Sequence, residues 1–527
     1  MAADCDVIIV GAGHNGLVAA GYLARAGLDV LVLERRDIVG GACITEELWP
    51  GVSAPTCSYI CHMLQRTVID DLELRRHGLH IFPQDPHLFC PFPDGQSALV
   101  WDADEPTTQA LARLSPADAH SFPAFQQARR RLARLLYRYF LEPPPTLARL
   151  FRDVDGTEYA PLLERLLVGN VTDLLDEFFE SPRVKALFVR AWDAGDPSAP
   201  GSLLSSAYLW TDLFTAPEDY GVVRGGMGGI TQSLARSAES HGARISTGAE
   251  VDHVLVEDGR ALGVVLRSGD AVSSRLVISN ADPKRTFLGL VEPGHLDSKF
   301  RGRIERLRTD AAYLKFHAAL DRLPDFSRYL GPDYDERWLG YTQICPSVEY
   351  FRQSWTDARA GRPSRTPLMS VQIPTVYDPS LAPSGMHVMS IWVQYAPVRP
   401  ATGAWDDLRQ TAGEHLIDTL ATYAPDVRSC IREWMLLTPP DIEQRVGMTD
   451  GNIRHIDMVL GQMLAYRPVA GWADYRTPIR NLYLCGAGTH PGGEVTGAPG
   501  HNAAHAVLRD LQMGLWGPDC EGNQVLV

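Results

Sequence analysis

Residues 6–35, DVIIVGAGHNGLVAAGYLARAGLDVLVLER, admit very few folds. Val7 to Val10 is a β-branched run with no polar break, the mark of a parallel strand buried on both faces. Gly11 permits a sharp turn, Gly13 lets backbone approach a pyrophosphate, and Gly16 lets a helix over Asn15–Ala26 lie close against the sheet. The pyrophosphate then meets free N–H groups at the positive end of that helix. Gly27 closes the helix, Val30–Leu33 makes a second strand, and Glu34 follows, where a carboxylate accepts from a ribose hydroxyl and repels a phosphorylated ribose. A glycine turn alone is common in α/β chains. Here strand, turn, helix, strand and acid fall in order, and the stretch reads as a dinucleotide-binding unit.

At 527 residues the chain exceeds what one hydrophobic core usually organises, so two closely packed domains are expected. A net charge of −15 and a pI near 5.5 argue against nucleic acid as a partner and against electrostatic docking on anionic lipid. Among the 49 basic residues only Lys185, Lys284, Lys299 and Lys315 are lysines, a bias that points to a GC-rich coding genome rather than to mechanism. The nine cysteines form no CxxC and no zinc spacing. Cys57 and Cys61 have three residues between them, whereas a flavin-linked redox pair has two or four, so the thiols read as buried groups in a reducing cytoplasm. The first strand begins within six residues, leaving no room for a cleavable leader, and no apolar run approaches the roughly 20 residues of a spanning helix. The expectation is a cytoplasmic protein without a metal site, with peripheral membrane contact left open.

After Glu34 a second glycine pair, Gly40-Gly41, forms another close-approach turn. An NAD site seldom needs one so soon, whereas FAD lying extended across a domain does. From Thr107 to about Thr215 the pattern turns helical and reads as an inserted lobe; within it, Ala128–Phe140 puts Leu132, Leu135, Leu136 and Phe140 on one face and Arg131, Arg134 and Arg138 on another. That helix reads either as a membrane-surface element or as an ordinary solvated helix packed on its own domain, and the second is preferred. A glycine-rich turn at Gly225–Gly229 opens a helix over Ile230–His241, followed by strands that return to the nucleotide domain. With no buried strand before it and no acid-ended strand after it, this turn is not a second dinucleotide fingerprint. One dinucleotide site points toward oxygen, a quinone or another acceptor re-oxidising the flavin. Arg301 to about Pro440 mixes strands with helices such as Trp405–Tyr423 and reads as the substrate domain.

The last motif-bearing piece, NLYLCGAGTHPGGEVTGAPGHNAAHAVLRDL (Asn481–Leu511), is a strand, a glycine-rich loop and a helix whose N-terminus faces back toward the loop. A helix N-terminus suits the negative charge of a reduced flavin, and Val495, Thr496 and Gly497 are the residues assigned to that contact. Glu494 is a candidate for orienting a cationic substrate or acting as base. His490, His455 and His501 are candidates for polarising a carbonyl or moving a proton.

With GAGHNG, ERRDIVGGA, GGMGGI, VISNAD, NLYLCGAGTHPGG and TGAPGHNAA in order, the chain resembles the phytoene-desaturase-like FAD oxidoreductases over nearly its whole length. Two branches look most similar, the desaturase-type β-carotene ketolases and the pyridine nucleotide-disulphide oxidoreductase-domain-containing proteins. The resemblance implies an α/β two-domain fold: a Rossmann-like FAD-binding domain with a monoamine-oxidase-like substrate domain and helical lobe, and FAD held non-covalently. Residues 1–105, 223–290 and 451–515 then form the FAD-binding domain, 106–222 the helical lobe, 291–450 the substrate sheet and helices, and 516–527 a tail. By position, Gly11, Gly13 and Gly16 hold the pyrophosphate, and Glu34 and Arg35 the adenosine ribose. Gly41 and Ala42 line the flavin side, Val251 meets the adenine through its backbone, and Gly486 with Val495–Gly497 approaches the ribityl chain and ring. Ala487 and Glu494 depart from the pattern: many flavoproteins have an acid at the first position, and relatives place a small or neutral residue at the second. The disulphide in the branch name finds no support in the cysteines.

The leading functional reading is an FAD-dependent desaturase, dehydrogenase or oxygenating oxidase. It would take hydride from a C–H of a lipid-like, isoprenoid or polycyclic molecule. The alternatives are an amine (C–N) oxidase, with Glu494 as the cation's partner, and a non-catalytic regulatory or binding protein on the same fold.

Overall fold

The computed structural model describes residues 3–516, so all but the first residue of the tail expected at 516–527 lies outside the described residues. Cys5–Val10 forms a strand, His14–Arg25 a helix, and Val30–Leu33 the next strand. The strand Cys5–Val10 lies parallel between Val30–Leu33 on one side and Ala271–Ser279 on the other. Arg244–Ser246 extends the sheet beyond Val30–Leu33, and the short strand Leu482–Leu484 pairs with Val277–Ser279. This parallel sheet is covered on both faces, and Val7, Ile8 and Ile9 are fully buried.

The strand Ala271–Ser279 has two roles. Its first residues pair antiparallel with Arg260–Leu266, which in turn pairs with Val251–Glu257, and its last residues sit inside the parallel sheet. The helices His14–Arg25, Gly228–Ser240 and Ala498–Gln512 share the core on one face of that sheet. At Gly225–Gly229 the structure departs from the sequence expectation that no buried strand precedes the turn. A buried strand, Gly221–Val223, does precede that turn; it pairs antiparallel with Ile81–Pro83 rather than joining the parallel sheet, so the turn still lacks the geometry of a dinucleotide fingerprint.

The second large sheet is mixed. Its order is Ile431–Leu437, Ala312–Leu320, His387–Ala396, Leu368–Gln372, Thr342–Ile344, Leu88–Pro91 and Ser97–Val100. Strand alternation divides its central strand sharply. Leu314, Phe316, Ala318 and Leu320 pack with Leu416 and Leu420 of the helix Trp405–Ala421. Tyr313, Lys315 and His317 are fully buried on the opposite face.

Helices dominate residues 104–214. The longest, Pro116–Tyr137, begins at an N-cap, where the Ser115 side chain accepts from the Asp118 N–H, and carries Pro123 in its interior. Leu132, Leu135 and Leu136 are buried in the lobe's own core, while Arg134 and Arg138 are exposed. This is the packing of an ordinary amphipathic helix on its domain. No helix of the described residues is long and apolar enough to cross a membrane.

Candidate active site

A cleft with ≈ 960 Å³ of empty space runs from the ends of the first two strands across the Gly40-Gly41 turn. Gly11, Gly13, Glu34, Arg35, Gly41, Ala42, Val251, His455 and Ala487 line it. Gly11 has φ +96°, which permits the turn out of the first strand. The Gly40 N–H donates to Ala12 O at 2.9 Å, so the two glycine turns lie against each other, and a Cβ on Gly41 would stand 3.2 Å from the Gly13 Cα. Gly16 lies beneath the turn; a Cβ there would sit 2.3 Å from the Gly11 carbonyl oxygen.

Glu34 is buried, accepting from the Ala12 N–H at 2.8 Å and from the Arg36 N–H at 3.0 Å. One oxygen thus braces the turn and the other the following backbone, and each keeps a lone pair for a further donor. Several buried polar atoms of lining residues have no protein partner: His14 Nε2, Asn15 Oδ1, Arg36 Nη1, Arg285 Nε and His455 Nδ1. An extended anionic dinucleotide supplies such partners. A glycine cradle, a carboxylate at the second strand and orphaned donors and acceptors along the wall together fit FAD, which offers both phosphate oxygens and hydroxyls.

Gly486 supports this wall from behind; a Cβ there would collide with Asn280 O and the His455 ring. Burial pushes the His455 pKa down to about 3, and Arg467 lowers it further, so the ring is neutral at ordinary pH. Gly497 caps the helix Ala498–Gln512 with φ +73°, and the Thr496 carbonyl accepts from the Gln65 N–H at 3.0 Å. Val495 packs on the core of the nucleotide domain, and neither it nor its two neighbours lines the cleft. His490 turns away: its Nε2 lies 2.8 Å from Tyr139 O in the helical lobe, and burial lowers its pKa to about 4. His501 is bound to Asn502 Oδ1 at 2.8 Å and packs edge-on to Tyr22. Both histidines serve packing in this arrangement.

Glu494 is the centre of a buried ionic network. Its Oε1 accepts from Arg454 Nε at 2.9 Å, and its Oε2 lies 3.7 Å from His62 Nε2. Arg454 Nη1 donates to Asp193 Oδ1 at 2.8 Å and to the Tyr313 hydroxyl at 2.6 Å, and Tyr313 itself donates to Asp193. His62 Nδ1 is 3.8 Å from Asp212. Burial alone would raise the Glu494 pKa, but Arg454 and His62 overcome it and hold the carboxyl at about 2. Burial alone would lower the His62 pKa, and Asp212 and Glu494 instead hold it at about 9. Glu494 is therefore an anion with two cations of its own, a poor base and not a free partner for an alkylammonium.

On the far side of His62 lies a second cleft, ≈ 1120 Å³ of empty space, walled by Tyr59, Phe188, Leu209, Trp210, Tyr220 and Tyr341. Behind Tyr59, a wall residue of the second cleft, Lys315 is fully buried on the substrate sheet and lines neither cleft itself. Its Nζ has no hydrogen-bond partner and stands 5.0 Å from the Tyr59 ring and 6.0 Å from the Trp392 ring. Burial pushes its pKa down to about 7. In the sequence Lys315 is one of four lysines, distinguished only by its position inside AAYLKFHAAL, a strand otherwise apolar except for His317. His62, Arg454 and Asp193 were missed because their partners are remote in sequence.

Two domains, one dinucleotide cleft and one aromatic cleft define a flavoprotein oxidoreductase. The chain belongs to the flavin containing amine oxidoreductases, whose family pattern matches residues 16–508, and FAD is its cofactor. It is 35% identical to the pyridine nucleotide-disulfide oxidoreductase domain-containing protein 2 of Rattus norvegicus, over 97% of this chain and 94% of that one. It is 29% identical to the hydroxyneurosporene desaturase of Cereibacter sphaeroides, over 96% and 98%. These likenesses place it among the phytoene-desaturase-like FAD oxidoreductases. A triple mutant of putrescine oxidase shares the fold, with a TM-score of 0.63 at 17% identity over 97% of this chain and 99% of that one. The eight described cysteines are all buried and unbonded, so among the described residues no disulphide is present.

Proposed function

We propose that the protein is an FAD-dependent dehydrogenase or desaturase that takes hydride from a C–H bond of a lipid-like, isoprenoid or polycyclic molecule. The observation that carries this reading is the aromatic cleft beside a Glu494 already neutralised by Arg454 and His62. The bound FAD supplies the two-electron acceptor. Tyr59, Trp210 and Tyr341 shape the space for an apolar carbon skeleton and exclude water from it. Lys315, 5.0 Å from the Tyr59 ring and neutral above about pH 7, is the group we assign to take the proton that leaves with the hydride when a double bond forms. Oxygen or a quinone re-oxidises the flavin.

The amine-oxidase alternative makes Glu494 the cation's partner, and the pairing of Glu494 with Arg454 and His62 speaks against that role. The deciding experiment is anaerobic bleaching of the bound flavin by a panel of isoprenoids, sterol-like polycycles, fatty acyl compounds and amines. Bleaching by members of the apolar classes is expected. Bleaching by amines alone would transfer the protein to the C–N oxidases, and no bleaching by any class would favour a binding role.

A further inference from the structure

The aromatic cleft is not apolar throughout. At its lobe end stand Arg129, Arg130 and Arg190, and none of them has a carboxylate oxygen within 4.0 Å among the described residues. Arg129 is held in place without one: its Nη1 donates to Gln126 Oε1 at 2.6 Å, and its guanidinium lies 5.3 Å from the Trp210 ring centroid and 5.6 Å from that of Phe125. Its Nε is buried with no acceptor. Arg190 donates only to backbone carbonyls, those of Leu187 and Val189. Half-buried guanidiniums satisfied by rings, an amide and carbonyls retain donors and charge for an outside anion.

We propose that this end of the cleft binds the carboxylate of an amphipathic substrate, a fatty or isoprenoid acid whose chain runs toward Tyr59 and His62. The inference deepens the proposed function and rests on it. A single negative charge fits better than a phosphate ester, because Asp102 and Asp212 line the same cleft and repel a dianion. Asp212 is engaged by His62, so it does not neutralise the arginines completely. The carboxylate on the lobe and the apolar walls beyond it set the reacting carbon away from the acid group, on the side of Lys315 and the nucleotide cleft.

The test uses the FAD-loaded protein and isothermal titration with decanoate, methyl decanoate and decylamine, below their aggregation concentrations. Decanoate is expected to bind about tenfold or more tighter than its methyl ester, the range of a charge-assisted hydrogen bond gained in a cleft, and decylamine weakest. Arg190→Gln should remove most of that preference while leaving methyl decanoate within about twofold of its original affinity, the behaviour expected of a lost charge contact rather than lost packing. Arg129→Gln tests the second guanidinium, and Arg190→Gln guards against a packing defect at the rings. Equal binding of acid and ester, or a preference that survives Arg129→Gln and Arg190→Gln combined in one chain, overturns this inference alone. Failure of both acid and ester to bind overturns it together with the apolar-substrate reading.

Discussion

Arg454 donates through Nε to Glu494 Oε1 at 2.9 Å and through Nη1 to Asp193 Oδ1 at 2.8 Å, so one guanidinium ties the flavin-side loop to the helical lobe. The lobe and the loop carry other ties as well: the Tyr208 hydroxyl donates to Gly493 O at 2.7 Å and Asn502 Nδ2 to Phe140 O at 2.8 Å. A pair this deeply buried is expensive to break from one side.

Glu494→Gln should destabilise the protein by about 3 kcal/mol at neutral pH. The folded carboxyl titrates at about 2 against an ordinary 4.5, so its contribution is present above pH 4.5 and is lost as pH falls toward 2. Urea midpoints of wild type and variant should therefore converge through that window. A constant gap across it would show that the ion pair is not the source.

His62 behaves in the opposite sense. Its folded pKa of about 9 lies above the ordinary 6.5, so its stabilisation is complete below pH 6.5 and disappears as pH rises through 9. Between those values the melting temperature of wild type should fall relative to that of His62→Gln. Thermal scans across the range check it.

Lys315→Met should stabilise the protein, because the buried amine titrates at about 7 instead of 10.5. The unfolded chain binds its proton more readily, so the destabilisation by Lys315 is full at or below pH 7 and fades as pH approaches 10.5, a swing on the order of several kcal/mol. The advantage of the methionine variant should follow the same course. For flavin reduction, the rate should rise with pH through about 7 in wild type and lose that limb in Lys315→Met.

Two glycine substitutions separate folding from cofactor binding. A Cβ on Gly13 meets the Asn280 Nδ2 at 2.7 Å, the end of a side chain that can swing away, whereas a Cβ on Gly16 meets the Gly11 carbonyl at 2.3 Å. Gly13→Ala should fold and release FAD on gel filtration. Gly16→Ala should in addition lower stability by roughly 1–3 kcal/mol, as an overpacked contact with rigid backbone does.

The nucleotide cleft was legible because its parts are local. Gly11, Gly13, Gly16 and Glu34 lie within one strand–helix–strand unit, and their spacing follows from the geometry of a single turn. Glu34 nevertheless held a surprise, since its oxygens brace the Ala12 and Arg36 amides of its own domain. The ionic network was not legible: Asp193, Arg454 and Glu494 are brought together only by packing of the lobe on the domains. His490 and Glu494 illustrate the same limit, for a glycine loop announces proximity to a cofactor without saying which way each side chain turns. Lys315 was hidden by its company, because a charged residue inside an apolar strand is invisible to periodicity and conspicuous only once burial is known.

The strand Ala271–Ser279 has Cys5–Val10 on one side and Leu482–Leu484 on the other, so strands 472 or more residues apart in sequence flank one strand of a single sheet. Synthesis runs from the N-terminus, and the opening glycine unit leaves the ribosome long before the strand and helix that complete its sheet. The nucleotide domain is thus assembled last although it is begun first. The emerging chain therefore carries an unfinished sheet edge through the making of the lobe and the substrate sheet. A chain cut before Leu482 would lose a strand and a helix of the cofactor domain and not merely a tail.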